Sequence, residues 1–299
     1  MLEKSVAIAA LARNCEDNLP NNIDRIEKLR LLFSSTAVFV YENNSTDSTK
    51  TILSAWQEGS ENVFLQSEDL DESRYRTGQK VSRLYGGTSA GRIKKMCDCR
   101  NKLLDIIRQS GKEFDYVIFI DIDVAWFSVD GIVESIEKAP KGWGGLFSNC
   151  YVTYCKDDEA FILPSHYDSY AYLDYGKTPA QIKKSRLNVF NKLFLSRRVY
   201  RNVNKTQFYP CASAFGGIGI YPAGILRSEY ELYIPDSWRE KNMALCEHIP
   251  FNAKVEGEKF ISHALEVCYQ YVDVAGAKWK FVRHAPFMFH LLGLVKSLL

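Results

Sequence analysis

The sequence has no apolar run of roughly 18 residues, the length that a membrane-spanning helix needs. Its first apolar stretch, residues 7–12, leads directly into Arg13 and Asn14 without the flank of a signal-peptide cleavage site. A large excess of one charge is also lacking. The 38 basic and 36 acidic residues leave a formal charge of +2, whereas nucleic-acid-binding proteins are usually far more basic. We therefore expect a cytoplasmic protein that binds no nucleic acid.

Recognisable cysteine patterns are absent as well. The eight cysteines are scattered, and Cys97 and Cys99 are too close together for a zinc knuckle, so we expect reduced thiols. The composition that is present is ordinary for a globular protein, with 46% hydrophobic and 25% charged residues in a chain of 299. A chain of this length can bury a full core, as one large domain or as two fused lobes.

Apolar strands alternate with amphipathic helices in the first part of the chain, which predicts an α/β fold with an open parallel sheet. The predicted strands cover residues 5–12, 37–41, 62–65 and 116–124. Helices are expected after the first three strands, the last of them over residues 92–108. Ser45 or Thr46 can cap the second helix, and residues 66–90 are expected to form a loop. After Asp130 the pattern is less regular, so we divide one domain into residues 1–135 and residues 136–299.

The fourth predicted strand ends in two carboxylates, Asp121 and Asp123, after four consecutive apolar residues. Ligands of open α/β sheets bind at this end of the strands. Buried anions need a compensating cation or hydrogen-bond donors. Two hard oxygen ligands suit Mg²⁺ or Mn²⁺ carrying a substrate diphosphate. The competing interpretation of the Asp-x-Asp motif is a solvated turn.

Other polar side chains are candidates for the same site. Residues 42–47 end the second strand, and Glu42, Asn44 and Asp47 can read a base or ribose or can build a helix-capping turn. Arg92 and Arg100 lie eight residues apart on one predicted helix and are expected to face the same way. Their guanidinium groups match diphosphate oxygens, although helix arginines are also common as solvated surface charge.

Three further segments have two interpretations each. The glycine-dense residues 213–221 can let the backbone approach a flat ligand or can form a bulge or tight turn. Glu247, next to His248, can orient an acceptor hydroxyl or stabilise positive charge, or can be structural. At the C-terminal end, His290 and Lys296 can bind a metal ion and phosphates, or can end an amphipathic helix.

The segment 183–205 is basic and contains aromatic residues. No acidic residue occurs between Gly176 and Ser228, whereas eight lysines and arginines lie within residues 183–205. Such a segment can dock on an anionic membrane surface, here the inner face of the membrane. Solvated charge over a packed apolar stripe is the alternative.

Four segments together resemble a glycosyltransferase of the GT-A fold. They are residues 6–13, 42–47 and 92–101 and the Asp-x-Asp motif. The spacing of the first three segments and the sequence Tyr167-Asp-Ser-Tyr170 are similar to the cryptococcal capsule α-1,3-mannosyltransferase family, glycosyltransferase family 69. The pattern His290-x-x-Gly-x-x-Lys296 is similar to an element of family 8 retaining galactosyltransferases. That element continues with Pro-Trp, where this chain has Ser-Leu.

This resemblance implies a Rossmann-like, mostly parallel sheet with flanking helices, in which residues 1–135 bind a nucleotide-sugar and residues 136–299 bind the acceptor. The implied reaction is metal-dependent transfer of a hexose to a glycan or lipid-linked acceptor, with retention, in capsule synthesis. GDP-mannose is the first donor to consider and a UDP-hexose the next. Mn²⁺ or Mg²⁺ would be bound by Asp121, Asp123 and His290. The implied donor-binding residues are Arg13, Glu42, Asn44, Asp47, Arg92, Arg100, Asp121 and Lys296.

The same resemblance implies Glu247 or Asp168 as the catalytic carboxylate. The alternative within glycosyltransferases is an inverting enzyme, in which either carboxylate acts as a general base. A nucleotidyltransferase would need a glycine-rich, basic loop after the first strand, and residues 12–16 are not one. The alternative outside enzymes is a carbohydrate-binding or scaffolding module.

Overall fold

The computed structural model describes residues 1–76, 88–156, 159–162, 165–183, 185 and 189–273. The helices are α1 (Leu19–Arg30), α2 (Thr49–Gly59), α3 (Ala90–Gln109), α4 (Val129–Lys138), α5 (Val189–Val203) and α6 (His248–Ala253). The first five strands are β1 (Leu2–Ala12), β2 (Phe33–Asn43), β3 (Val63–Glu68), β4 (Tyr116–Asp121) and β5 (Trp126–Phe127). The others are β6 (Trp143–Lys156), β7 (Glu159–Ile162), β8 (Leu173–Asp174), β9 (Phe208–Ser213), β10 (Ile218–Pro222) and β11 (Glu258–Asp273).

The first four long strands form a parallel sheet in the order β3-β2-β1-β4. Residues 6–10 of β1 are buried on both faces of the sheet, which explains their continuous apolar run. Helices α1 and α2 return the chain between consecutive parallel strands, and α3 precedes β4. The predicted α/β class, with a mostly parallel sheet and flanking helices in this part of the chain, is therefore confirmed.

The second half of the chain extends the same sheet. Strand β10 pairs antiparallel with β4, and the order then continues through β6, β11, β9 and β8. Strands β6 and β11 run parallel to each other, although three register shifts interrupt their pairing. Because β10 inserts directly beside β4, residues from the second half reach the end of the strand that carries Asp121.

Side chains of β1 alternate between two apolar layers, one on each face of the sheet. Ala7 and Ala9 pack in the layer that contains α3, whereas Val6 and Ile8 pack in the layer that contains α1, α2 and α4. The sheet is thus covered on both sides, and its C-terminal strand ends are the part open to ligands. Among the described residues, no helix is long and apolar enough to cross a bilayer.

Several predicted boundaries are wrong. The second helix begins after Ser48, so neither Ser45 nor Thr46 caps it, and Asp47 accepts a hydrogen bond from the amide of Thr49 instead (3.0 Å). The predicted loop 66–90 includes the end of β3, a short 3-10 helix over Glu72–Tyr75, and the first residue of α3. Residues 77–87 of that loop lie outside the described residues.

Candidate functional site

The site lies where the parallel strands β1, β2 and β4 end together. Leu11 of β1 is in register with Asp121 of β4, and Ala12 is in register with Glu42 of β2. The amide of Asp121 donates to the carbonyl of Gly217 in the turn before β10 (2.8 Å). The polar residues that follow β2 and β4 in the sequence therefore lie at one edge of the sheet, as predicted.

Two asparagines of the α1 region hold the loop that carries the Asp-x-Asp motif. The side-chain amide of Asn22, fully buried, donates to the carbonyls of Ile122 (2.9 Å) and Val124 (2.6 Å). That of Asn18 donates to the carbonyl of Asp123 (2.8 Å). The backbone of this loop is therefore fixed on both sides, and the side chain of Asp123 is exposed, although burial still raises the pKa of its carboxyl group.

Arg100 is buried next to the motif, with 4% of its surface exposed. Its Nη2 lies 3.7 Å from Oδ1 of Asp121, and its Nε donates to Oε1 of Glu247 (3.1 Å). The guanidinium also lies over the rings of Phe215 (5.0 Å) and Tyr230 (5.6 Å). Ionic and ring contacts therefore hold this cation in one position at the edge of the site.

Asp121 has an unusual environment for a carboxylate. Its pKa is raised to about 8, mainly by burial and also by the charges of Asp123, Asp168 and Glu247, while Arg100 acts in the opposite direction. Among the described residues, Arg100 is thus the buried cation next to a group of four carboxylates. Such an excess of negative charge in a partly dry site favours a bound cation.

The residues present fit a magnesium or manganese ion that is shared with a diphosphate. Such ions are held by one or two carboxylates, and substrate phosphates and waters supply the other ligands. Asp121 and Asp123 provide the carboxylates. Within the described part of the chain, no three acidic, histidine or cysteine side chains form a complete ligand group. The predicted third ligand, His290, lies outside the described residues, as do Gly293 and Lys296.

Asp168 is joined to this centre through the glycine-rich turn between β9 and β10. Its Oδ2 accepts from the amide of Gly216 (3.1 Å), and its Oδ1 accepts from the amide of Ala171 (3.2 Å). Gly216 has φ of +69°, and a Cβ there would lie 2.6 Å from Oγ of Ser148, so only glycine fits. The tight-turn interpretation of residues 213–221 is therefore correct, and the turn places Asp168 near Asp121.

Glu247 and His248 pack around Arg100. Glu247 is 5% exposed and directs Oε1 at the guanidinium. The ring of His248 stacks on Phe215 (centroids 3.8 Å apart), and burial together with Arg100 holds its pKa well below the usual value. His248 is therefore neutral, and Glu247 balances the charge of Arg100. Glu247 and His248 therefore lie in one buried cluster, which agrees with a structural role for the pair.

The loop after β2 satisfies its polar groups internally. Glu42, fully buried, accepts from the amide of Ser45 (2.8 Å) and from the hydroxyl of Ser67. The side chain of Asn44 pairs with both backbone groups of Leu70 (3.0 and 3.2 Å). Asp47 accepts from the amides of Thr49 and Glu16 (3.0 and 3.3 Å). These contacts hold the loop together from inside, and Glu42 presents no surface to a ligand.

The two other predicted arginines are more exposed. Arg13 forms an ion pair with Glu72 (2.8 Å), which Lys95 also contacts (2.8 Å). Arg92 is exposed near the start of α3, and its charge reaches the hydroxyl of Tyr170, whose pKa it lowers against the larger effect of burial. Arg100 is buried beside Asp121 and Arg92 is exposed, and a common role of the two arginines on one side of α3 stays a prediction.

Four residues of the site, two asparagines and two tyrosines, were not predicted as site residues. Asn18 and Asn22 are one helical turn apart, a spacing that places both amides on one side of α1. Tyr269 on β11 stacks on Tyr167 beside the carboxylates, with ring centroids 4.1 Å apart. The asparagine pair could have been found as polar residues at apolar helix positions, whereas nothing in the sequence links Tyr269 to a residue 102 positions earlier.

The sequence pattern of the family described as cryptococcal mannosyltransferase 1 matches residues 5–270, which is most of the chain. A search of curated proteins gives no match to this sequence.

The solved structures that are similar are distant. The mannosyltransferase PcManGT from Pyrobaculum calidifontis, solved with GDP-Man and Mn²⁺, is 11% identical, with a TM-score of 0.49 over 99% of this chain and 65% of that one. TarS of S. aureus is 13% identical, with a TM-score of 0.45 over 90% and 60%. Mannosyl-3-phosphoglycerate synthase from Rubrobacter xylanophilus is 12% identical, with a TM-score of 0.38 over 98% and 73%. The chain thus spans less than two thirds of the first two proteins.

Proposed function

Because the chain belongs to the cryptococcal mannosyltransferase 1 family of glycosyltransferases, we propose that it transfers a hexose from a nucleotide-sugar to a glycan or lipid-linked acceptor. Mannose from GDP-mannose is the first candidate, and a UDP-hexose is the second. The observation that carries the proposal is the cluster around Asp121, where four carboxylates and one buried guanidinium meet at the ends of parallel strands. This arrangement suits a cation and a diphosphate bound together.

The leaving group of the reaction is the nucleoside diphosphate. Arg100 supports the binding of its oxygens, because the fixed guanidinium lies beside Asp121 and supplies positive charge where negative charge develops. A bound Mn²⁺ or Mg²⁺ would be held by Asp121 and Asp123, with His290 as the proposed third ligand, and would neutralise the diphosphate. Glu247 keeps Arg100 in position through its hydrogen bond to Nε (3.1 Å).

Asp168 is the stronger candidate for the catalytic carboxylate. As the bond from the sugar C1 to the diphosphate breaks, the sugar becomes positively charged, and the acceptor oxygen forms the new bond while its proton leaves. Asp168 is partly exposed and held by two backbone amides, whereas Glu247 is buried against Arg100. We propose Asp168 to stabilise the charged sugar or to accept the proton, and Glu247 to act on the reaction through Arg100.

The proposed donor site also includes residues from the loops after β1 and β2. Arg13, Asn44, Asp47 and Arg92 stay candidates for contacts with the base, ribose or phosphates, and Glu42 supports them by holding the loop from inside. Lys296 is proposed on the diphosphate. Retention of the anomeric configuration follows the family 8 resemblance, and analysis of the product anomer distinguishes it from inversion.

Thermal-shift binding tests the donor site. We expect one nucleotide among GDP-, UDP-, CMP- and dTDP-sugars to stabilise the chain in a Mn²⁺-dependent manner, and Asp123→Ala to lose that stabilisation. The control is Asp236→Ala, which removes an exposed carboxylate outside the site. Sugar transfer is then measured with the nucleotide that binds. A folded protein that no nucleotide stabilises would contradict the proposal and favour the carbohydrate-binding module.

We also propose that the chain contacts the inner face of a membrane through residues 183–205, in the synthesis of a capsule or other surface glycan. Phe190, Phe194, Arg197 and Arg201 of α5 follow a spacing of four, three and four residues and share one helix face. Both phenylalanines are exposed, at 55% and 69%, while Leu193 and Val199 pack on the protein. Arginines beside exposed rings match an anionic lipid surface.

Co-sedimentation with vesicles tests the membrane contact. We expect binding to phosphatidylcholine vesicles that contain phosphatidylglycerol, weaker binding to phosphatidylcholine alone, and loss of binding in the double variant Arg197→Ser, Arg201→Ser. The control exchanges Arg227 and Arg239, which are exposed outside α5, for serine. Arg198 is left unchanged because it pairs with Asp174 (2.7 Å). Unchanged sedimentation of the α5 variant would rule out this surface.

A further inference from the structure

We infer that Tyr167 and Tyr269 form a stacking platform for a sugar ring of the acceptor, beside the loop that carries Asp121 and Asp123. The inference deepens the proposed function and rests on it, because it assigns the acceptor to one defined surface of the same site. Neither tyrosine was predicted to bind a ligand.

The two rings form a pair that is open on one side. Their centroids are 4.1 Å apart and their planes differ by 25°. Tyr167 is 40% exposed although it packs on Tyr269, so part of its ring remains available to solvent. Within the described residues, neither hydroxyl makes a hydrogen bond. Tyrosine hydroxyls in partly buried places usually have a partner, so the pair offers both an apolar face and two free polar groups.

The backbone places both rings next to the carboxylates. Tyr167 directly precedes Asp168, and its amide donates to the carbonyl of Cys150 (3.0 Å). The carbonyl of Tyr269 accepts from the amide of Ala125, two residues after Asp123 (3.1 Å). After burial, the charges of Asp121, Asp123 and Asp168 contribute to raising the pKa of both tyrosines, which is consistent with this proximity.

The position of the pair in the sheet favours the acceptor over the nucleotide. The parallel strands β1 to β3, where a nucleotide would bind, lie on one side of β4. Tyr269 belongs to β11, and the backbone of Tyr167 is hydrogen-bonded to β6. Both of these strands lie on the other side of β4. A nucleotide-sugar whose diphosphate lies at the Asp-x-Asp loop would therefore place its base away from the tyrosines, and its sugar would lie between the diphosphate and an acceptor bound on the tyrosines.

The chemistry of the pair suits a pyranose. A hexose has one face of C–H groups, which can lie on an aromatic ring, and peripheral hydroxyls, which need hydrogen-bond partners. The exposed ring of Tyr167 supplies the first contact, and the two hydroxyls, which have no partner in the described part of the chain, supply the second. Because Asp168 follows Tyr167 directly, a sugar on this platform would have a hydroxyl near the proposed catalytic carboxylate.

The test compares saccharide binding with nucleotide binding in the full chain. Saturation-transfer NMR would be recorded with the methyl α-glycosides of mannose, glucose, galactose and xylose, in the presence of the stabilising nucleoside diphosphate and Mn²⁺. We expect at least one glycoside to bind, Tyr167→Ala to weaken that binding at least tenfold, and Tyr167→Phe to weaken it less because the ring is retained. The affinity for the nucleotide should stay within twofold in both variants.

The control variant is Tyr271→Ala, which removes an exposed tyrosine of the same strand whose pKa is affected by Arg25 and not by the site carboxylates. It should bind the glycoside as the wild type does. Three results would overturn the inference while nucleotide binding is intact. They are failure of every glycoside to bind the wild type, equal binding by Tyr167→Ala, and a selective loss of nucleotide affinity in Tyr167→Ala, which would identify a platform for the base. Loss of Mn²⁺-dependent nucleotide binding in the wild type would refute the proposed function instead.

Discussion

The loop after β2 and the centre around Asp121 lie at the same edge of one sheet and have opposite polar chemistry. In the loop, Glu42, Asn44 and Asp47 use their oxygens on nearby backbone groups. At the centre, carboxylates outnumber the one buried guanidinium, and two tyrosine hydroxyls have no partner among the described residues. Groups that are satisfied internally build a scaffold, whereas groups left unsatisfied in a folded protein indicate where a ligand binds.

Removing the guanidinium group of Arg100 from the centre should have the largest effect on the free energy of unfolding. Arg100→Met leaves Asp121 and Glu247 buried without their partner, so we expect the free energy of unfolding to fall by about 3–5 kcal/mol. Urea unfolding at pH 7 measures the change. The control is Lys94→Met on the exposed face of the same helix, which loses only a surface ion pair with Asp98, so we expect a change within about 1 kcal/mol. Equal effects of the two substitutions would contradict the assignment of Arg100 as the charge that holds the centre together.

The next effect concerns a buried histidine close to the centre. Burial lowers the pKa of His166 from 6.5 to about 4. Between these values the unfolded chain binds a proton that the folded chain does not, so stability falls as the pH decreases from 6.5 to 4. The pKa shift corresponds to a loss of about 3 kcal/mol in the free energy of unfolding near pH 4. No loss is expected above pH 6.5, where His166 is neutral in both the folded and the unfolded chain.

Unfolding measured between pH 4 and pH 7 checks this dependence. The variant His166→Phe keeps an apolar ring beside Tyr172 and should show a shallower loss of stability in acid. His263→Phe changes an exposed histidine and should follow the wild type. If both variants lose stability as steeply as the wild type, His166 is not the titrating group.

A smaller effect on the free energy of unfolding is expected in the loop after β2. Glu42→Ala leaves the buried amide of Ser45 and the hydroxyl of Ser67 without their acceptor, which should cost about 1–3 kcal/mol of unfolding free energy. Nucleotide affinity, measured well below the unfolding temperature, should stay within about twofold. A tenfold loss of affinity in the folded variant would show that Glu42 contacts the nucleotide after all.

Asp123 should matter least for stability and most for binding. Its side chain is exposed, and among the described residues it forms no ion pair, so Asp123→Asn should change the free energy of unfolding by no more than about 0.5 kcal/mol. The same variant should lose the Mn²⁺-dependent stabilisation by nucleotide. A large loss of stability without any ligand would assign Asp123 to the scaffold.

Local sequence patterns predicted the strands and helices of the first half of the chain, but not all of the residues at which they begin and end. Continuous apolar runs identified β1, β2 and β4, because a strand buried on both faces tolerates few polar residues. The start of α2 was wrong because Ser45 uses its hydroxyl to accept from the amide of Asn14 (3.0 Å), a contact between two different loops. All eight cysteines are free in the structure, and their reduced state stays a prediction.

The sequence by itself determined the α/β class, the parallel strands, the position of Asp121 at a strand end and, through motif resemblance, the glycosyltransferase family, because these depend on short-range spacing. Only the tertiary structure decided which polar groups meet. Glu247 contacts Arg100 from 147 residues away, and Tyr269 stacks on Tyr167 through the pairing of β6 with β11. Such contacts depend on the insertion of β10 beside β4 and on burial by the whole fold, which no local pattern of residues encodes.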